Sequence, residues 1–161
     1  MRRYHSLGDL PLGGPRRVLA IGTFDGVHVG HQAVIRRAIA LAEERGLGAM
    51  ALTFEPQPIA VLRPELKPAV LTHIGLKSQL IESLGINELL VLPFTRAFSR
   101  IRAERFAEML VAPPVGADAV VGEEPIDWLA RGEAGPGSGY RLELSDQPGA
   151  TAPSGSSRGK P

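Results

Sequence analysis

The stretch Val18-Leu19-Ala20-Ile21-Gly22-Thr23-Phe24-Asp25-Gly26-Val27-His28-Val29-Gly30-His31 decides the fold. Its four leading apolar residues make a short strand of the kind that is covered on both faces. A glycine-rich turn follows at once. Beyond the turn Val34, Ile35, Ala38, Leu41 and Ala42 recur at three- and four-residue intervals. That spacing predicts an amphipathic helix. Arg36, Arg37, Glu43 and Glu44 fall on its other face, and Gly46 and Gly48 end it. The unit is therefore strand, tight turn, helix.

The same alternation continues outward. Ala49–Phe54 predicts a second strand. Pro56, Pro58, Pro64 and Pro68 follow, and they predict loop rather than helix. Helical spacing returns at Leu76, Leu80, Ile81 and Leu84, closed by Gly85. Glu88–Leu92 predicts a third strand, stopped by Pro93. Ile101, Phe106, Met109 and Leu110 suggest another helix before Pro113 and Pro114, and Ala119–Val121 a fourth strand. Short buried strands alternating with helices imply a doubly wound α/β domain, a parallel sheet with right-handed crossovers. In such sheets ligands bind beyond the carboxyl ends of the strands, at the switch in strand order.

From Glu123 to Pro161 the pattern changes. Gly, Pro and Ser dominate, as in Gly135-Pro136-Gly137-Ser138-Gly139 and Pro153-Ser154-Gly155-Ser156-Ser157. Arg141–Leu144 has the makings of a brief strand. Otherwise the composition predicts a disordered tail. The expected division is a domain over residues 1–122 and a low-complexity tail over 123–161.

Composition narrows the function. The chain of 161 residues is 43% hydrophobic and 22% charged with a formal net charge of +1. It is long enough for one domain with a core, and its charge gives no general attraction to nucleic acid or to an anionic membrane. There is no cysteine, which excludes disulfides, thiolate metal sites and cysteine nucleophiles. No apolar run approaches the roughly 20 residues that span a bilayer, and Tyr4-His5-Ser6-Leu7-Gly8-Asp9 is no signal-peptide core. The expected location is the cytoplasm.

The chemistry lies in the turn. Gly22, Gly26 and Gly30 let backbone approach a ligand closely or adopt positive φ. The free N–H groups and positive dipole end at the start of the first helix suit a triphosphate. His28 and His31, three apart, can converge on one phosphate and donate hydrogen bonds to its oxygens. A histidine at a helix start also serves as a cap, and Asp25 also serves as a turn residue that accepts from nearby backbone N–H groups. A His-x-x-His pair also binds metal. His5 and His73 are distant in sequence, so no third ligand stands near, and no metal site is expected.

The string Ile21 to Gln32 resembles the N-terminal module of bacterial bifunctional riboflavin kinase/FAD synthetases, an FMN adenylyltransferase of the nucleotidyltransferase superfamily. Thr53-Phe54-Glu55-Pro56-Gln57-Pro58 looks like the family's Phe-x-Pro-His-Pro loop after the second strand, and Gly116–Gly122 like the approach to its flavin-contact motif. The resemblance covers roughly residues 4 to 122. It implies a Rossmann-like domain that joins ATP and FMN into FAD and pyrophosphate, with Mg2+ accompanying ATP. His28 and His31 would then be catalytic and hold the ATP phosphates. Gly22, Thr23, Phe24, Asp25 and Gly30 would line the nucleotide site, and Phe54, Pro56 and Pro58 would shape the flavin and adenine pocket. Partners would be these small molecules, with no nucleic acid and no membrane. Lys77, like Arg96, Arg100, Arg102 and Arg105, is read as a solvated surface residue.

Three features depart from the family pattern. Gln57 replaces the histidine between the loop prolines, keeping hydrogen-bonding ability but not charge. After Gly122 the chain reads Glu123-Glu124-Pro125-Ile126-Asp127-Trp128 in place of Asn or Asp followed by Phe-x-Phe-Gly. The later Ser/Thr phosphate motif and the riboflavin kinase module are not found. This abrupt change predicts a shift of reading frame after Gly122, an impaired enzyme, and a sheet edge left exposed beside the fourth strand. The alternatives are another nucleotidyltransferase of the same fold, or a non-catalytic fragment that binds nucleotide or flavin.

Overall fold

The computed structural model describes residues 1–66 and 68–122, together with the backbone of 141–144. Six strands form one sheet: β1 (Arg2–Tyr4), β2 (Arg17–Ile21), β3 (Gly48–Phe54), β4 (Glu88–Leu92), β5 (Ala117–Gly122) and β6 (Arg141–Leu144). Their order is β1-β4-β3-β2-β5-β6, and every pairing is parallel. From β2 the chain steps outward through β3 to β4, then returns to lay β5 on the other side of β2. The switch in strand order thus lies at β2 and β5, as the doubly wound reading requires.

Helices cover both faces. α1 (Val29–Arg45) and α3 (Ile74–Ser83) lie on one side, where Val34, Ile35, Ala38, Leu41, Ala42 and Ile81 pack with Val18, Ala20, Ala51 and Leu89. α4 (Ala103–Val111) lies on the other, where Phe106 and Leu110 meet Leu19, Ile21, Leu52 and Leu90. All five residues of β2 are buried. That explains why its sequence is a continuous apolar run rather than an alternating one. α1 ends as its sequence predicts: Gly46 takes the left-handed conformation (φ 65) and donates its N–H to Ala42 and Glu43. No helix among the described residues is long and apolar enough to cross a membrane.

Two expectations are corrected and one strand is added. The proline-rich stretch is not all loop, since Pro58–Leu62 forms the short helix α2 and Pro64–Leu66 a single tight helical turn. Pro58 stands at the start of α2, where a residue needs no N–H donor, so the prolines bracket the helix instead of breaking it. Near the N-terminus, where the sequence suggested no element, Arg2–Tyr4 forms strand β1, which pairs with β4 in the register Tyr4↔Leu90. Three residues are too few to show a period in sequence. The edge beside β5 is occupied by β6, in the register Ala119↔Arg141. The expected disordered tail and shifted frame otherwise lie outside the described residues.

At the opposite end from the glycine turn, the sheet is tied by Arg17. Its guanidinium is 1% exposed. Nε donates to Glu88 Oε2 at 2.6 Å, and Nη1 donates to the carbonyls of Pro15, Pro114 and Val115. One side chain joins β2, β4 and the entry to β5. Arg17→Met strands the Glu88 carboxylate beside a hydrocarbon, and removing one partner of a buried pair costs about 3 to 5 kcal/mol. A urea unfolding midpoint equal to that of the unsubstituted chain would contradict this role.

Candidate active site

The turn from Gly22 to His28 connects β2 to α1 at the switch point. Its backbone is unusual. Phe24 and Val27 have φ of 50° and 42°, a region that costs a side-chain-bearing residue energy. Gly26 has φ 77. Gly22 is required for a different reason: a Cβ there would stand 2.8 Å from Phe24 Cε1. The Phe24 ring folds back onto the glycine and is fully buried. It forms the floor of the turn, and its edge meets the His31 ring with centroids 5.5 Å apart.

Other elements hold the turn from outside. The Thr23 carbonyl accepts from Thr53 Oγ1 on β3 at 3.0 Å and from Lys77 Nζ on α3 at 2.8 Å. Asp25 accepts from the backbone N–H groups of Leu71 and Thr72 and from the Thr72 hydroxyl. The Gly26 N–H donates to Thr72 Oγ1. Burial would raise the Asp25 pKa, but the hydrogen bonds from Leu71 and Thr72 outweigh it and hold the carboxyl at about 2. Asp25 therefore accepts not from the nearby N–H groups of a turn but from groups 46 and 47 residues onward, in a clamp that reaches across the fold.

The two histidines are brought together. Their rings stack with centroids 3.7 Å apart and 20° between planes. His28 is the N-cap of α1, its Nδ1 accepting from the N–H of Gly30 at 3.1 Å and of His31 at 3.4 Å. A nitrogen that accepts carries no proton, so the neutral His28 ring holds its proton on Nε2. This cap also refines the anion-site expectation: the ring already uses two of the amides at the helix start. His31 is 4% exposed, lying between the rings of His28 and Phe24. Burial first, then the neighbouring His28 and Lys77, lower its pKa to about 4, against the opposing pull of Asp25. It is neutral at neutral pH.

Lys77 is not the surface residue its sequence context suggested. It is fully buried, on the face of α3 turned to the turn. Its spacing from Ile74 and Ile81 puts it in the apolar stripe, and that was the available signal. Arg96, Arg100, Arg102 and Arg105 are exposed, as expected.

Beyond β3 and β4 lies an aromatic cluster that the sequence reading located only through Phe54. Four of the chain's five phenylalanines meet there. Phe54 packs edge-to-face on Phe94 at 5.7 Å, Phe94 on Phe98 at 5.5 Å and Phe98 on Phe106 at 5.5 Å. A cavity of about 140 Å³ opens between Leu62, Phe94, Phe98, Ser99, Ile101 and Phe106. Phe54 is in the floor behind this cavity, while Pro58 starts α2, whose Leu62 lines one wall. Pro56 is exposed in the turn between them. Among the described residues no group of three or more His, Cys, Asp or Glu could hold a metal ion.

A parallel α/β sheet with a glycine-rich turn at its switch point and an aromatic cavity at its carboxyl margin defines a domain of doubly wound type. The model of the FAD synthetase family matches residues 14–124, and the chain belongs to that family. It is similar to the bifunctional riboflavin kinase/FMN adenylyltransferase of Listeria monocytogenes, 40% identical over 95 residues, covering 57% of this chain and 30% of that protein. The enzymes of the same name from Bacillus subtilis and Escherichia coli K12 are 38% and 34% identical. They cover 60% and 69% of this chain and 31% and 35% of their own lengths. The chain thus spans about a third of the length of these curated relatives. A crystal structure described as a macrolide-efflux protein from Streptococcus pneumoniae superposes with a TM-score of 0.65 at 24% identity, over 75% of this chain and 46% of that one. That likeness concerns the fold.

The His31 environment gives a pH dependence. The unfolded imidazole takes up a proton below about 6.5, whereas the folded one resists until about 4. The unfolded state binds more protons in that window, so stability falls as pH drops from about 6.5 toward 4. His31→Gln flattens this slope. Urea midpoints of the two proteins that run parallel across the window would overturn the assignment.

Proposed function

We propose that the chain transfers the adenylyl group of ATP to FMN, giving FAD and pyrophosphate, within a domain comprising residues 1–122. The observation that carries this reading is the stacked His28–His31 pair at the start of α1, just past the end of β2. Membership of the FAD synthetase family and the names of the relatives support the choice of FMN over another phosphate.

An FMN phosphate oxygen attacks the α-phosphorus of ATP. The bond from that phosphorus to the oxygen bridging to the β-phosphate breaks, and pyrophosphate leaves with the electron pair. No protein nucleophile is needed, so the protein's task is positioning and charge stabilisation. His28, with its proton on Nε2, donates to a phosphate oxygen, and neutral His31 lies against it. Gly22, Thr23, Asp25 and Gly30 shape the nucleotide seat through backbone, with Phe24 as its floor. The aromatic cavity receives the apolar ring system of the flavin, with Phe54 backing its rings and the Pro56–Pro58 turn placing α2, whose Leu62 lines one wall. Among the described residues no group of three or more His, Cys, Asp or Glu forms a cage for Mg2+, and the Asp25 oxygens are taken by Leu71 and Thr72. The metal belongs to the nucleotide substrate, and no step is assigned through it. The reaction fits a cytoplasmic setting.

A second reading, binding without turnover, is favoured by one observation: Glu123-Glu124-Pro125 stands where the family motif should begin. Purified chain mixed with ATP, magnesium and FMN and followed by chromatography decides between them. FAD should form, and His28→Ala and His31→Ala should each slow it about 100-fold or more, the typical worth of one preorganised donor. FMN binding with no FAD would support the second reading. Turnover of a different phosphate monoester would sink the choice of FMN.

A further inference from the structure

The apolar stripe of α3 contains one residue that packing does not explain. Lys77 is 0% exposed, yet carries an ammonium. Burying that charge is costly, and a hydrocarbon side chain at this position would pack without the cost. Its hydrogen bond goes to the Thr23 carbonyl at 2.8 Å, the carbonyl that Thr53 Oγ1 also holds. Two donors from two different elements thus converge on the last residue before the strained segment Phe24–Val27. Burial pushes the ammonium's pKa down, while Glu55 and Asp25 lie near enough to favour its charge. Neither carboxylate forms an ion pair with it among the described residues.

The remaining contacts of the turn have the same character. Asp25 and Gly26 are held by Leu71 and Thr72, just before α3, and Lys77 is on α3 itself. The turn has left-handed residues with full side chains, a conformation that persists only where surroundings over-determine it. We propose that Lys77 is a positioning residue for the nucleotide turn: its ammonium, fastened to the Thr23 carbonyl, keeps residues 23–27 in the shape that sets His28 and His31 against each other. The inference rests on the reading of this turn as the ATP-phosphate seat. It differs from a purely structural role in being local to that seat.

The test uses the full 161-residue chain with Lys77→Met, which keeps an unbranched side chain one atom shorter and removes its charge. Amide hydrogen exchange is compared between residues 22–31 and strand β4. Exchange in 22–31 should rise about tenfold or more, the worth of one hydrogen bond to a charged group, while β4 stays as in the unsubstituted chain. In FAD formation the KM for ATP should rise and kcat fall, with the KM for FMN unchanged. Unaltered exchange in 22–31 overturns the proposal, as does an even rise across turn and strand. Equal losses for ATP and FMN also overturn it. If Lys77→Met does not fold, Thr53→Val removes the other donor to the same carbonyl, and a smaller rise confined to the same amides is expected; none would overturn the proposal. Should the unsubstituted chain form no FAD, the proposed function fails, yet the exchange comparison still decides the role of Lys77.

Discussion

Everything at the site depends on the confinement of β2. The strand is flanked by β3 and β5 and covered by helices on both faces, so its chain can leave the sheet only at the end. There it must reverse into α1 within a few residues. That constraint explains the sequence that follows it. A side chain on Gly22 would collide with Phe24, and Phe24 must fold inward because the turn has no other floor. The histidines stack because one caps the helix while the other occupies its first turn. The chemistry of the turn is thus a by-product of closing a strand onto a helix in minimal space, which leaves polar groups concentrated at one point.

Much of this was legible in the sequence, and the limits have physical causes. Strands β2, β3, β4 and β5 and helices α1, α3 and α4 announce themselves, because burial on one or two faces imposes a period. β1 is too short to have one. α2 was hidden because proline argues against a helix interior but not against its first residue. Lys77 was misread because a lysine's charge argues for solvent, and here that outweighed the spacing that places it in the apolar stripe. The role of Asp25 was not legible, since its partners lie more than forty residues away and the letters suggest only a local turn. The aromatic cluster draws Phe54 from the end of β3, Phe94 and Phe98 from after β4 and Phe106 from α4, and no single segment contains them.

The two halves of the site are built by different means. The histidine end is polar, held by named hydrogen bonds, and rigid through its backbone. The aromatic end is held by ring contacts around a cavity. They face the same margin of the sheet because β2, β3 and β4 are neighbours and parallel, so their carboxyl ends must lie together. A parallel sheet is what allows a phosphate seat and an apolar ring pocket to share one rim without sharing a chain segment.

The outside support of the turn has a consequence for how the chain acquires its site. Asp25 is bonded 47 residues onward to Thr72, and Thr23 is bonded 54 residues onward to Lys77. The signature looks local when read as letters but is long-range as a structure. During synthesis the residues from Gly22 to His31 emerge early and lack their Thr72 and Lys77 contacts until α3 has been made and docked. Closing such loops costs entropy before the contacts repay it. A peptide carrying the signature alone therefore lacks the shape of the seat, and the motif becomes a site only as a late product of folding.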